Sequence, residues 1–307
     1  MAIRKRTITV SLLFMFLLMS ISSKAQQDSA FIMKPIGIEA FQVMSKFFSY
    51  DKNIPLESII VEQREESEYI REKIVFRGVD DSQVPGYLAL PKEGAAPYPC
   101  ILLLHGLTGS KEIWWNVDRS PGNLVEKLLV SGFAVLSLDA KYHGERIAFN
   151  NYESPSIFVF QKGWDIRSNY MTVQSVREYR RAIDYLETRI EIDTGRLGMI
   201  GYSMGGFMTF SLTAVDPRVK VSVACVTPNI EEPYSPKAAY HFAPYINNRP
   251  FLMLMGKDDP FYTVEEAQQL HNFIDSDVKE ITFYNSGHRL PDEWIERATE
   301  WMEKYLK

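Results

Sequence analysis

From residue 98 onward, short runs of almost unbroken apolar residues alternate with longer stretches of helical periodicity. The runs are "CILLLHG", "FAVLSLDA", "RLGMIGY", "VKVSVACVT", "PFLMLMG" and "EITFYN". A strand that is apolar at every position must be covered on both faces, which an isolated or one-sided sheet cannot provide. Between the runs, residues 123–131, 168–189, 204–214 and 264–274 have helical spacing, and 291–306 closes the chain the same way. In 168–189 the stripe is Val173, Val176, Tyr179, Ile183 and Leu186. Strand–helix alternation of this kind predicts a doubly wound α/β domain with a mostly parallel sheet. With 307 residues and 46% hydrophobic content the chain can bury a large core. No linker, repeat or low-complexity tract divides it, so 26–307 is expected to be one domain.

Upstream the pattern differs. "SIIVEQREE", "EYIREKIVFRG" and "VPGYLALP" have alternating or β-rich character and predict an antiparallel edge to the sheet. Pro85 and Gly86 predict a turn or bulge there. Residues 31–56 read as a helical lead-in with Phe41, Met44, Phe47 and Phe48 on one side.

The first 25 residues are a different kind of segment. Arg4, Lys5 and Arg6 precede an apolar run over 8–19, and "SSKAQQ" puts Ser23 and Ala25 at the small positions of a cleavage site. That is the three-part pattern of a secretory signal peptide, and the apolar run is short for a membrane span. The mature chain is expected to begin near Gln26 and to be periplasmic or secreted, without a stable membrane anchor. Removal takes away basic residues only and deepens the net charge of −5. An acidic chain offers no footprint for nucleic acid or anionic lipid. The only cysteines, Cys100 and Cys225, lie in apolar strands and read as buried free thiols. Without C-x-x-C or clustered Cys/His spacing, no metal or cofactor is indicated.

The chemistry gathers where strands end. In an open parallel sheet functional groups collect at the carboxyl ends of the strands. There "RLGMIGY" runs into Ser203 within Gly201-Tyr202-Ser203-Met204-Gly205, and a helix follows. Strand, G-x-S-x-G and helix make a nucleophile elbow. "FLMLMGKDDPFY" places Asp258 and Asp259 after a later strand, and "ITFYNSGHRL" places His288 after the last. Ser, Asp, His is the order such hydrolases use along the chain. A serine hydroxyl needs a base, and the base needs an acid to hold its tautomer. The backbone N–H of Met204, the residue after the nucleophile, is expected to face the oxyanion. His241 and His271 have no such setting and read as packing or surface residues.

From about residue 70 to its end the chain resembles the α/β-hydrolase superfamily. It is most similar to dienelactone-hydrolase-like esterases and the catalytic domains of prolyl-oligopeptidase-type enzymes. "LLLHGLTGSKE", "LDAKYHGER", "IGYSMGG", "MLMGKDDP" and "SGH" carry the resemblance. It implies a Ser–His–acid hydrolase without cofactor. It selects Asp259, three residues after Gly256, over Asp258, and gives Leu107 in "HGLTG" the second oxyanion N–H. It makes His105 a support for that loop, and Asp139 and His143 braces of the site's floor. It places a small cap-like insert at 144–167, rich in Phe149, Tyr152, Phe158, Phe160 and Trp164. Those aromatics, with Trp114 and Trp115, are expected either to wall the substrate or to pack. A dienelactone hydrolase proper has a cysteine nucleophile, where this chain has Ser203.

The expected activity is hydrolysis of small-acyl carboxylic esters, with an acylated sugar or a small aromatic ester as the candidate substrates. Long-chain lipids and peptides should be poor substrates, and activity should fall in acid as His288 takes up a proton. The alternatives are an exported serine peptidase and a catalytically inactive binding protein on the same fold. Arg146, Arg167 and Arg289 form no basic cluster and are expected to pair with acids on the surface.

Overall fold

A single nine-stranded sheet organises the molecule, in the order β1-β2-β3-β5-β4-β6-β7-β8-β9. The computed structural model describes residues 31–116, 120–163 and 165–307. The expected signal peptide and Trp164 lie outside them. Residues Met33–Lys307 form one compact unit.

The strands β1 (Ile59–Glu65), β2 (Tyr69–Arg77) and β3 (Gln83–Pro91) form the expected antiparallel edge. β3 then joins β5 (Ala134–Leu138), also antiparallel. The remaining strands are parallel: β4 (Tyr98–Leu104), β5, β6 (Ile192–Tyr202), β7 (Val219–Cys225), β8 (Phe251–Gly256) and β9 (Lys279–Tyr284). Every residue of β5 and β8 is buried, the outcome an unbroken apolar strand requires. β1 at the opposite extreme is exposed along its whole length.

The helices are α1 (Ile38–Ser45), α2 (Ser120–Val130), α3 (Asp165–Leu186), α4 (Met204–Val215), α5 (Val264–Phe273) and α6 (Glu293–Leu306). α2 packs with α6 and α3 with α4. The stripe on α3 is buried at Val176, Tyr179, Ile183 and Leu186, and half-buried at Val173. Thr263 starts α5 with a capping box, accepting from Glu266 N at 3.1 Å while its own N–H reaches Glu266 Oε2 at 2.7 Å.

Three expectations change. Pro85 and Gly86 do not turn the chain: β3 passes through them in continuous register with β2, Pro85 opposite Val75 and Gly86 opposite Ile74. The glycine is there for space, since a Cβ would sit 2.6 Å from Leu138 Cδ2 and 2.9 Å from Ser137 O. Phe47 is exposed, while Met44 and Phe48 are buried. Arg146 is not on the surface either. It is buried and grips Glu178 of α3 through both terminal nitrogens, with Nη2–Oε1 at 2.6 Å. Both thiols are free and buried, and burial pushes their pKa values up.

Candidate active site

β6 delivers Ser203 in a backbone conformation (φ 59°, ψ −112°) that a side-chain-bearing residue adopts only under constraint. The constraint is visible on both sides. A Cβ on Gly201 would lie 2.1 Å from Gly205 O, and one on Gly205 would lie 2.0 Å from Leu104 O. Only glycine lets strand, turn and helix approach this closely. Ser203 N–H donates to Cys225 O at 2.9 Å, tying the turn to β7.

Around the serine the structure brings together residues from three loops. His288, after β9, has Nε2 2.8 Å from Ser203 Oγ and Nδ1 2.7 Å from Asp259 Oδ2. Asp259, after β8, has a fully buried side chain, and its Oδ1 accepts from Phe261 N at 3.0 Å. Asp258 beside it is exposed. The tyrosine of the elbow holds the histidine loop: Tyr202 Oη donates to His288 O and accepts from Leu290 N, both at 2.9 Å. Nothing in the sequence marks Tyr202 for this, since its position in G-x-S-x-G accepts any side chain.

The loop after β4 passes beside Ser203, close enough that a Cβ on Gly106 would lie 3.3 Å from Ser203 Cβ. Its orientation is set by His105. Ala140 N–H donates to His105 Nε2 at 3.1 Å, so the ring proton is on Nδ1, which donates to Gly106 O at 2.8 Å. Gly109 N–H reaches the same carbonyl at 2.9 Å. In a trans peptide the carbonyl of Gly106 and the N–H of Leu107 point opposite ways, so anchoring one aims the other. Met204 N–H sits in the first turn of α4, where helix N–H groups have no intrahelical acceptor.

Asp139 and His143 tie this loop to the segment after β5. Asp139 accepts from Lys111 N and Lys111 Nζ, both at 2.9 Å, and from Glu145 N at 3.0 Å. Burial alone would lower the Lys111 pKa, but Asp139 and Glu145 beside it outweigh that and hold it above the usual range. His143 Nε2 lies 2.7 Å from Leu107 O and Nδ1 2.9 Å from Lys141 O. Burial drives the pKa of His105 down to about 4 and that of His143 to about 3. The His105 ring, with Nε2 accepting, is therefore neutral at pH 7, which suits a support rather than a proton carrier. At His143 burial opposes the charge and the two carbonyl acceptors favour it. His241 is buried and His271 half-buried, away from these contacts.

Ser203 and His288 open into a cavity of about 710 Å³. Leu107, Ser203 and His288 border it, and Trp114, Phe160, Phe261 and Trp294 supply aromatic wall. Trp114 is 1% exposed, and its Nε1 has no hydrogen-bond partner among the described residues. Trp115 instead donates to Ser137 Oγ at 3.3 Å and packs on Tyr69 and Tyr87, away from this wall. Of the 144–167 aromatics, Phe160 reaches the cavity, Phe158 is buried, and Phe149 and Tyr152 are exposed. Arg289 also lines the cavity. Phe261 and Trp294 carried no signal in the sequence beyond following Asp259 and opening α6. Among the described residues no cluster of His, Cys, Asp or Glu is arranged to hold a metal, and no helix is long and apolar enough to cross a membrane.

Comparison with known proteins agrees with this architecture. The chain is 27% identical over 270 residues to the Bacillus subtilis protein named "Putative hydrolase YtaP", covering 78% of this chain and 83% of that one. Among solved structures it superposes on an acetyl xylan esterase from Paenibacillus sp. R4 with a TM-score of 0.70 at 17% identity, over 90% of this chain and 96% of that one. A cold-adapted esterase from an Arctic intertidal metagenomic library superposes with a TM-score of 0.66 at 19% identity, over 84% of this chain and all of that one. The dienelactone hydrolase family profile matches residues 84–289, from β3 through the elbow to the histidine loop. The chain belongs to the dienelactone hydrolase family and is an ester hydrolase.

Proposed function

We propose that the protein hydrolyses carboxylic esters of small acyl groups through a covalent acyl-enzyme on Ser203. The observation that carries this reading is the continuous chain Ser203 Oγ–His288–Asp259, with links of 2.8 and 2.7 Å. His288 Nε2 takes the hydroxyl proton as Ser203 Oγ attacks the ester carbonyl carbon. Asp259 keeps the other ring proton on Nδ1 and stabilises the imidazolium that forms. The carbonyl oxygen becomes negative and is met by the N–H groups of Leu107 and Met204. Collapse expels the alcohol, which leaves with the proton from His288. Water then adds to the acyl-enzyme with His288 again as base, releasing the carboxylic acid and restoring Ser203.

The largely apolar wall of the cavity favours an uncharged ester over a polyanionic one. Export is part of the proposal and rests on the N-terminal pattern alone. N-terminal sequencing of the mature protein should begin near Gln26; an intact Met1 on a cytoplasmic protein would overturn it.

A fluorophosphonate probe tests the nucleophile, with stoichiometric labelling of the wild type and none of Ser203→Ala. A panel of p-nitrophenyl esters and aminoacyl amides tests the substrate class. Acetate and butyrate should turn over fastest, and faster cleavage of long-chain esters or amides would overturn the small-acyl reading.

A further inference from the structure

Two exposed phenylalanines meet above the triad from separate parts of the chain. Phe160 comes from the single π-helical turn Ile157–Gln161, and Phe261 follows Asp259 by two residues. Their rings stack, with centroids 6.0 Å apart and planes 21° from parallel. Phe261 also sets its ring against His288, 4.7 Å between centroids and near perpendicular. Both line the cavity, yet Phe160 is 61% and Phe261 39% exposed. Phe158, two residues before Phe160, is fully buried and anchors that turn. Large aromatic faces left in water beside a reactive centre, on a π-turn of a kind common at functional sites, mark a ligand surface. The Phe261 backbone is held at both ends, its N–H by Asp259 Oδ1 and its carbonyl by Asn229 N, each at 3.0 Å.

We propose that Phe160 and Phe261 form a platform for an aryl group carried by the alcohol half of the ester. The position decides which half. His288 passes its proton to the departing oxygen, so a surface packed against His288 lies on the leaving-group side. The Leu107 and Met204 N–H groups face the acyl carbonyl instead. The chemistry of the wall decides the class. A sugar ring also stacks on aromatic faces, but its hydroxyls need partners. Tyr202 Oη and both His105 nitrogens are already engaged. That leaves Thr108, Arg289 and the single N–H of Trp114 as polar groups in a wall that is otherwise mostly apolar, too few for a ring of hydroxyls. An aryl ring needs only offset or edge contacts with Phe160 and Phe261.

This inference rests on the hydrolase reading, and the test keeps the two apart. Benzyl acetate and cyclohexylmethyl acetate share the acyl group, a primary alcohol and similar bulk, and differ in the aromatic face. The benzyl ester should have a kcat/KM about tenfold higher, the scale of two aromatic contacts. Phe160→Leu and Phe261→Leu should each move that ratio toward unity. A wild-type ratio at or below unity, or a ratio untouched by both variants, would overturn the platform. Calorimetry on Ser203→Ala with benzyl alcohol and cyclohexylmethanol tests it without turnover. Tighter binding of benzyl alcohol supports the platform and equal affinity overturns it. Failure of the wild type to hydrolyse p-nitrophenyl acetate in a Ser203-dependent way would sink the hydrolase reading, leaving the binding comparison to judge the platform.

Discussion

Tyr202 Oη donates to the main-chain carbonyl of His288 at 2.9 Å, so the residue before Ser203 holds the loop that carries His288. The same hydroxyl accepts from Leu290 N, which makes it a clamp with two jaws. Tyr202→Phe should cost about 2 kcal/mol of stability, as for two ordinary hydrogen bonds at about 1 kcal/mol each. The kcat should fall as well, by about tenfold or more, because His288 loses its placement. KM should change little. Steady-state kinetics beside thermal melting checks the split; equal small losses in both would reduce Tyr202 to packing.

The two neighbouring aspartates should respond unequally. Asp259→Asn offers His288 Nδ1 an amide that supports the wrong tautomer, and kcat should drop about 10⁴-fold. Asp258 is exposed, and Asp258→Asn should stay within about 0.5 kcal/mol of wild type in stability and keep near-normal kcat. The reverse ranking would move the acid by one residue.

Acid should destabilise the fold through His105. Burial lowers its pKa to about 4 from the usual 6.5. The native ring stays neutral, with Nε2 accepting from Ala140 N–H, while the unfolded ring takes up a proton below pH 6.5. Unfolding therefore binds a proton, and stability falls as pH drops from 6.5 toward 4. The loss is of the order of a few kcal/mol. Urea unfolding between pH 7 and pH 4.5 measures it, and His105→Gln should flatten the slope. A slope unchanged in that variant would overturn the assignment to His105.

Glu178→Gln should be among the most damaging single changes away from the triad. It leaves the buried Arg146 guanidinium without its counter-charge, a loss of about 3–5 kcal/mol. Chemical denaturation gives the value. A loss below about 1 kcal/mol would mean that Arg146 finds another partner.

Arg146 also marks the limit of what sequence reading reaches. The parallel strands were legible because burial on both faces demands an apolar residue at every position, and β5 and β8 obey that rule. The elbow was legible because sterics near Ser203 admit glycine alone at 201 and 205. Asp259 rather than Asp258 contacts His288, and it was the family resemblance, not local chemistry, that singled it out. Arg146 and Glu178 are 32 residues apart, on a connecting segment and a helix, and no periodicity links them. Gly86 resembles a turn residue in sequence because space for a neighbouring Leu138 side chain leaves no local mark. Phe261 gains meaning only when the 157–161 turn is folded over it.

Ser203 and His288 are 85 residues apart, and their loops follow β6 and β9, with β7 and β8 lying between in the sheet. No local segment can assemble this pair. It requires the parallel pairings from β6 across to β9, the long-range contacts that form slowly because loop closure must be met before they stabilise anything. Regain of activity during refolding should therefore lag the return of helical signal. Turnover in this molecule doubles as a clock for the last stage of its own assembly.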